Sequence, residues 1–189
     1  MSGTDHTSYP CKDGFLCDAG SQTEEGSQPC PIDSFCTAGA ATTCPAGTYS
    51  LVTGLVSTDE CIECAPGKYC PDNSNGITDC PTGYYCPGNL ISVPTGTDNQ
   101  CTAGHYCPGG TAVEILCEPG YYQSGVGATE CTECDVGSYC PDSGMDAPTD
   151  CTSAFTDWYC PAGSIQPAKC PIGTFAEDDT QSCTTCPMG

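Results

Sequence analysis

The 189-residue chain contains 21 cysteines, and only 22 residues are Ile, Leu, Val or Phe, too few for an ordinary apolar core. The net charge is −21, with three lysines and no arginine, which argues against nucleic acid and anionic membrane surfaces as partners. No apolar run reaches the roughly 18 residues of a membrane span, and residues 1–10 lack a signal-peptide pattern. Cysteine at this density is typical of small disulfide-stapled units outside the reducing cytosol. We therefore expect an extracellular or cell-surface protein without direct membrane insertion in this segment.

A seven-residue phrase, exemplified by CPTGYYC at residues 80–86, recurs along the chain. Glycine stands three places after its first cysteine in nine units, and Asp33 takes that place in another. With proline often in second position, the phrase predicts a tight turn that ends in a left-handed residue, a conformation that Asp also tolerates. Successive first cysteines lie 14 to 21 residues apart and begin eleven units, which we number in this order: Cys11, Cys30, Cys44, Cys64, Cys80, Cys101, Cys117, Cys134, Cys151, Cys170 and Cys186.

An aromatic residue follows the glycine place by two positions in most units. Leu16 fills this place in unit one, and unit nine has an insertion that includes Trp158. We expect each ring to cover its own disulfide and to pack on the next unit. The predicted fold is small and disulfide-rich: an elongated tandem array of turns and short β-hairpins, with little or no helix and with contacts mainly between neighbouring units. The rings are Phe35, Tyr49, Tyr69, Tyr85, Tyr106, Tyr122, Tyr139, Tyr159 and Phe175.

The units are of two kinds, because the second cysteine follows the aromatic closely in seven short units and is delayed in three long ones. Ten complete pairs leave Cys186 unpaired within the chain, and we expect the array to continue beyond this segment or to be completed by a neighbouring subunit. In chain order we predict an incoming spacer with two short units (1–43), a long unit (44–63), three short units (64–116), a long unit (117–133), two short units (134–169), a long unit (170–185) and the start of a further unit (186–189).

The long units begin with phrases such as CPAGTY and end in a CxxC sequence after a variable loop. They resemble the ephrin-receptor-like cysteine-rich repeats of extracellular proteins, including protist surface proteins, and are similar to tumour-necrosis-factor-receptor cysteine-rich modules. The resemblance extends from Cys11 to Gly189 and implies an extracellular, disulfide-stapled rod with little regular secondary structure and no catalytic residues. For the long units it implies the bridges Cys44–Cys61, Cys117–Cys131 and Cys170–Cys183.

Two pairings remain open for the short units: closure within the phrase, as in Cys64 to Cys70, or closure across the spacer, as in Cys70 to Cys80. Sequence alone does not determine the connectivity. We favour closure within the unit, because one rule then covers both kinds of unit and leaves only Cys186 open. Each bridge would contribute about 2–3 kcal/mol in the loop-entropy model. The short-unit cysteines are Cys11, Cys17, Cys30, Cys36, Cys64, Cys70, Cys80, Cys86, Cys101, Cys107, Cys134, Cys140, Cys151 and Cys160.

Metal-binding and catalytic interpretations are weaker than a structural one. The sequences CIEC, CTEC and CTTC have zinc-ligand spacing, but each arises where a long unit meets the next phrase, so we predict no metal site. The only histidines are His6 and His105, and bridged cysteines leave no thiolate, so we expect no enzyme. We interpret the carboxylate clusters as a solvated acidic surface, with Ca²⁺ as the alternative cofactor. These clusters are Glu24–Glu25, Asp59–Glu60 with Glu63, Glu130 with Glu133 and Asp135, and Asp178–Asp179.

The hypothesis that follows is a non-catalytic extracellular structural protein, a subunit or backbone of a fibre, filament, surface coat or flagellar-hair-like appendage. Its partner would be itself, through head-to-tail or lateral assembly. The alternative is the stalk or ligand-binding ectodomain of a cell-surface receptor or adhesin, with Trp158 as the binding hot spot. Covalent glycans are a further hypothesis, because Ser/Thr/Pro-rich spacers favour O-linked sugar. The candidate O-glycan residues are Thr42, Thr43, Thr95, Thr97, Thr149 and Thr152.

Overall fold

The computed structural model describes residues 11–17, 28–71, 77–88, 94–151, 157–176 and 182–187. In these ranges the regular structure consists of short strands and one 3-10 turn, Thr58–Glu60. The strands are β1 (Phe15–Leu16), β2 (Gln28–Pro29), β3 (Ser34–Thr37), β4 (Ala40–Thr43), β5 (Thr48–Tyr49), β6 (Ile62–Glu63), β7 (Lys68–Tyr69), β8 (Thr78–Asp79), β9 (His105–Tyr106), β10 (Ile115–Leu116), β11 (Tyr121–Tyr122), β12 (Thr132–Glu133), β13 (Ser138–Tyr139), β14 (Thr149–Asp150), β15 (Trp158–Tyr159), β16 (Ala168–Lys169), β17 (Thr174–Ala176) and β18 (Cys183–Thr185).

The strands pair in chain order as antiparallel hairpins, from β1 with β2 to β17 with β18. In each hairpin the first strand lies within a unit and pairs with the residues just before the next unit's first cysteine, as in Tyr69 opposite Thr78. Unit five makes a single bridge instead, between Tyr84 and Gln100. The prediction of a small disulfide-rich fold made of short hairpins with little helix is therefore confirmed.

The turn of the phrase depends on a left-handed residue, as predicted. Gly83 has φ of 81°, a conformation that costs a residue with a Cβ atom about 1–2 kcal/mol. Asp33 adopts the same region with φ of 56°, which confirms that Asp replaces glycine there. The carboxylate of Asp33 is buried, and its Oδ1 accepts a hydrogen bond from the Ser50 amide (2.7 Å). This bond couples the turn of unit two to unit three.

Consecutive units are joined by a repeated pair of backbone hydrogen bonds at the glycine place. The Gly83 carbonyl accepts from the Cys101 amide (3.0 Å), and the Gly83 amide donates to the Cys107 carbonyl (2.9 Å). The carbonyl bond recurs at the final turn, where the Cys186 amide donates to the Gly173 carbonyl (2.9 Å). Because only backbone atoms take part, the same contact forms whatever side chains the units carry.

Contacts also reach the next unit but one, in addition to the expected contacts between neighbouring units. A Cβ atom on Gly83, in unit five, would lie 2.5 Å from the Gly127 carbonyl oxygen, in unit seven. The equivalent distance from Gly120 to the carbonyl oxygen of Gly163 is 2.7 Å. The reason is that loops fold back onto earlier units: the Gly127 amide, for example, donates to the Cys101 carbonyl (2.7 Å).

The interior of each unit is formed by its cysteines. Among the described residues, the buried apolar side chains are cysteines and one aliphatic residue, Leu55, which is 4% exposed. The phrase aromatics are half-buried, except Phe175, which is exposed. So few buried aliphatic and aromatic side chains cannot form an ordinary apolar core. The disulfides therefore contribute much of the fold's stability.

The chain divides into two compact units, Met1–Cys80 with Cys86–Pro94, and Pro81–Tyr85 with Thr95–Gly189. The first contains the hairpins from β1–β2 to β7–β8, and the second contains those from β9–β10 to β17–β18. In the parts of the chain that the structure describes, no helix is long and apolar enough to cross a membrane.

Candidate functional site

The ten disulfides of the structure each join the two cysteines of one unit. The short units are closed within the phrase and not across the spacer. Paired Cα atoms lie 5.6 to 6.3 Å apart, within the usual range for a disulfide. Cys186 is unbridged and exposed. The pairs are Cys11–Cys17, Cys30–Cys36, Cys44–Cys61, Cys64–Cys70, Cys80–Cys86, Cys101–Cys107, Cys117–Cys131, Cys134–Cys140, Cys151–Cys160 and Cys170–Cys183.

Two of the long units place a hydrogen-bonding side chain where the short units have their second cysteine. In unit three this residue is Ser50, whose hydroxyl accepts from the Val52 amide (3.2 Å). In unit seven it is Gln123, which accepts from the Gly125 amide (3.0 Å) and donates to the Glu130 carbonyl (2.9 Å). These bonds hold the start of the long loop at the position where a short unit has its second cysteine.

A cluster of Thr102, His105 and Glu114 in unit six brings together residue types that also occur in catalytic sites. The Thr102 hydroxyl donates to Glu114 Oε2 (2.9 Å), and the Thr102 amide donates to the same oxygen (3.0 Å). His105 Nδ1 lies 3.1 Å from the Thr102 hydroxyl and 3.1 Å from the Ala103 carbonyl. The hydroxyl has a single proton, which Glu114 Oε2 accepts, so this proton is not placed for transfer to His105. The arrangement supports a structural role, with Glu114 holding the turn of unit six to its spacer.

Glu114 makes this contact dependent on pH. Partial burial raises the pKa of its carboxyl, but the two Thr102 hydrogen bonds and the attraction of His105 outweigh burial, so the pKa is lowered from 4.5. Because the pKa is lower in the folded state than in the unfolded chain, the ionised carboxylate stabilises the fold at pH values above the ordinary pKa. This stabilisation is lost as the pH falls through the lowered pKa. Below pH 4.5 the unfolding free energy is therefore expected to fall less in Glu114→Gln than in the wild-type protein. Urea titrations at pH 6 and about pH 3 measure the difference; parallel losses in both proteins would contradict it.

The predicted hot spot, Trp158, lies half-buried in β15, where it pairs with Lys169 of β16. Of the candidate O-glycan threonines, Thr149 is half-buried, and Thr152 lies outside the described residues. The exposed candidates are Thr42, Thr43, Thr95 and Thr97.

The carboxylate clusters do not converge on a cation site in the described ranges. There, no group of three or more His, Cys, Asp or Glu side chains is placed to hold a metal ion. Glu60 Oε2 instead accepts a hydrogen bond from the Val56 amide (2.7 Å). Glu24–Glu25 and Asp178–Asp179 lie outside the described residues.

Comparison with known proteins gives an informative similarity. The chain is 27% identical over 198 residues to Zonadhesin of Mus musculus, a protein whose name marks it as an adhesin. The match covers 93% of this chain and only 4% of that protein's length. No family model matches the chain, so the resemblance to ephrin-receptor-like repeats is not confirmed.

The similarity and the ten disulfides agree on a broad class. Disulfide-dense chains belong outside the reducing cytosol, and the matched protein is an adhesin by name. Together they support an extracellular, cysteine-rich domain of structural or adhesive type, and they point away from an enzyme.

Proposed function

We propose that the chain is a repeat segment of an extracellular structural protein, a subunit or backbone of a fibre, filament, surface coat or flagellar-hair-like appendage. The observation that supports this best is the repeated pair of backbone hydrogen bonds at the phrase glycine. In unit four the Gly67 amide donates to the Cys86 carbonyl (2.7 Å), and in unit eight the Gly137 amide donates to the Cys160 carbonyl (2.8 Å). A contact that recurs from one unit to the next allows an array to grow without a dedicated interface.

The partner in this proposal is the protein itself, in head-to-tail or lateral contact. Heterologous contacts between repeating surfaces produce filaments when their rotation does not close a ring. Exposed spacer threonines, such as Thr42 and Thr43 on β4, would carry O-linked glycans on the surface of the assembly. An intact mass equal to that of the polypeptide would exclude the glycans without affecting the assembly proposal.

Electron microscopy and sedimentation of the purified native protein test the assembly. Filaments or ordered sheets, with sedimentation that depends on protein concentration, are expected. Assembly should survive high salt if backbone contacts dominate it, since screening acts mainly on exposed charges. Material that stays monomeric at all concentrations would contradict the proposal.

The second candidate is the stalk or ligand-binding ectodomain of a cell-surface receptor or adhesin, and the similarity to Zonadhesin favours it. Under this proposal Trp158 supplies the central contact, as tryptophan often does in protein interfaces. Beads coated with Trp158→Ala protein should lose adhesion to cells of the source organism while the protein still assembles. Tyr121→Ala is the matched control, because Tyr121 is an aromatic residue that is 41% exposed in a hairpin of unit seven. Undiminished adhesion of the Trp158 variant would contradict this candidate.

A further inference from the structure

The loop of unit three, residues 50–60, carries three apolar side chains that the fold leaves exposed. Leu55 is buried and makes a parallel bridge with Phe35, and Val56 covers Gly14, with its Cγ1 3.1 Å from the position that a Cβ atom there would take. Leu51 and Val52, by contrast, are 66% and 61% exposed. Val56 is itself 42% exposed, so Leu51 and Val52 are the most exposed of the loop's four large aliphatic side chains.

The backbone that presents Leu51 and Val52 is held in place on both sides. Ser50, which is fully buried, anchors the start of the loop to the Asp33 carboxylate. A preorganised surface loses little conformational entropy on binding, which favours recognition. Four further hydrogen bonds hold the loop: Val52 N to Ser50 Oγ (3.2 Å), Gly54 N to the Cys30 carbonyl (2.8 Å), Cys36 N to the Leu55 carbonyl (2.9 Å) and Val56 N to Glu60 Oε2 (2.7 Å).

Unit seven shows that the loop does not need aliphatic residues at these two positions. Its loop makes the same bonds, from the Gly127 amide to the Cys101 carbonyl (2.7 Å) and from the Cys107 amide to the Ala128 carbonyl (2.9 Å). Counted from the first cysteine of each unit, Leu51 and Val52 correspond to residues 124 and 125, which are Ser and Gly. The folding of the loop therefore does not account for the exposed pair in unit three.

Beside this pair lies an open surface cavity of about 310 Å³, lined by Val52, Thr53, Gly54, Leu55 and Glu60. Its wall combines aliphatic side chains with the Glu60 carboxylate, and Asp59 and Glu60 are both exposed. A cavity with aliphatic side chains on part of its wall and a carboxylate at its edge is complementary to an aliphatic side chain that is followed by a basic one.

We propose that the surface formed by Leu51, Val52 and the cavity binds a partner-protein segment in which basic and aliphatic residues alternate. The charge of the chain supports a basic partner, because the chain has 24 acidic residues but only three lysines and no arginine. Asp59 and Glu60, which are exposed beside this surface, oppose an acidic segment as its occupant and favour a basic one. This inference goes beyond the proposed structural role and does not depend on assembly.

The probe is a fluorescent short peptide of alternating lysine and leucine, titrated with the full chain and followed by anisotropy. Replacing both exposed residues (L51S with V52S) should weaken binding at least about tenfold, because their aliphatic contacts are lost. Val126→Ser is the matched control, since Val126 is 63% exposed in the loop of unit seven, and its affinity should equal that of the wild type. Glu60→Gln keeps an acceptor for the Val56 amide, and it should weaken binding at physiological salt but not at about 1 M salt.

Four results would overturn the proposal. The double variant could bind the peptide as tightly as the wild type, or the wild type could fail to bind it. A peptide of alternating lysine and serine could bind equally well, which would show attraction by charge alone. The wild type could dimerise where the double variant does not, which would make a second copy the occupant. Hydrogen exchange at the Cys36 amide, which donates to Leu55, checks that the variant loop is folded.

Discussion

Gly83→Ala is expected to destabilise the protein by about 2–5 kcal/mol, whereas Gly110→Ala should cost only about 1–2 kcal/mol. Both glycines have positive φ, 81° and 78° respectively, so both substitutions incur the left-handed penalty. They differ in what the new methyl group meets. At Gly83 it would lie 2.5 Å from the Gly127 carbonyl oxygen, and at Gly110 nothing lies within 4 Å. The difference between the two variants therefore measures the close contact between units five and seven.

Urea unfolding followed by tyrosine fluorescence gives both free energies. Hydrogen exchange at the Gly127 amide, which donates to the Cys101 carbonyl, reports the contact locally and should rise in Gly83→Ala alone. Equal losses of stability in the two variants would show that the backbone conformation matters and that the contact with unit seven does not.

Removing the bridge of unit seven, with Cys117→Ala and Cys131→Ala together, should cost about 3 kcal/mol in the loop-entropy model. Cys117 is fully buried, so the loss of its packed sulfur adds to this cost. The affected hairpin is β11–β12, and the Gly104 amide of unit six, which donates to the Gln123 carbonyl, should lose protection with it. The variant is therefore expected to open a segment that extends beyond its own unit.

The matched control is Cys11→Ala with Cys17→Ala. That bridge closes a sequence separation of 6 residues, against 14 in unit seven, and both of its cysteines are half-exposed. Its removal should cost about 2 kcal/mol and leave exchange at the Gly104 amide unchanged. An unfolding midpoint of the unit seven variant equal to that of the wild type would contradict the view that the bridges replace an apolar core.

Much of the architecture was predictable because the phrase encodes it locally. A turn residue three places after a cysteine, followed by an aromatic strand, predicts one hairpin per unit, and Tyr139 opposite Thr149 is an example. Asp33 was predicted to take the left-handed position because its side chain tolerates that region, and it does. Spacing alone left two disulfide pairings open for the short units. A bridge within the phrase and a bridge across the spacer are both compatible with the regular repeat.

The contacts between a unit and the next unit but one were not predicted, because they involve glycines in loops of variable length. One signal was present in the sequence: Gly54, Gly127 and Gly144 each stand ten places after the first cysteine of their unit. The role of Glu114 was missed for a related reason, because its partner Thr102 lies twelve residues earlier and no motif links the two positions. The exposure of Leu51 beside the buried Leu55 also depends on how the loop folds back, which composition does not reveal.

The central claim is that each unit is closed by its own disulfide, and disulfide mapping of the native, unreduced protein tests it most directly. Endoproteinase cleavage before Asp79 and Asp98 releases residues 79–97, which contain only Cys80 and Cys86. Closure within the unit predicts that this peptide separates from its neighbours and is lighter than its reduced form by the two hydrogens lost on oxidation, while Cys186 reacts with an alkylating reagent. A peptide that stays attached through Cys70–Cys80 or Cys86–Cys101 would contradict the account.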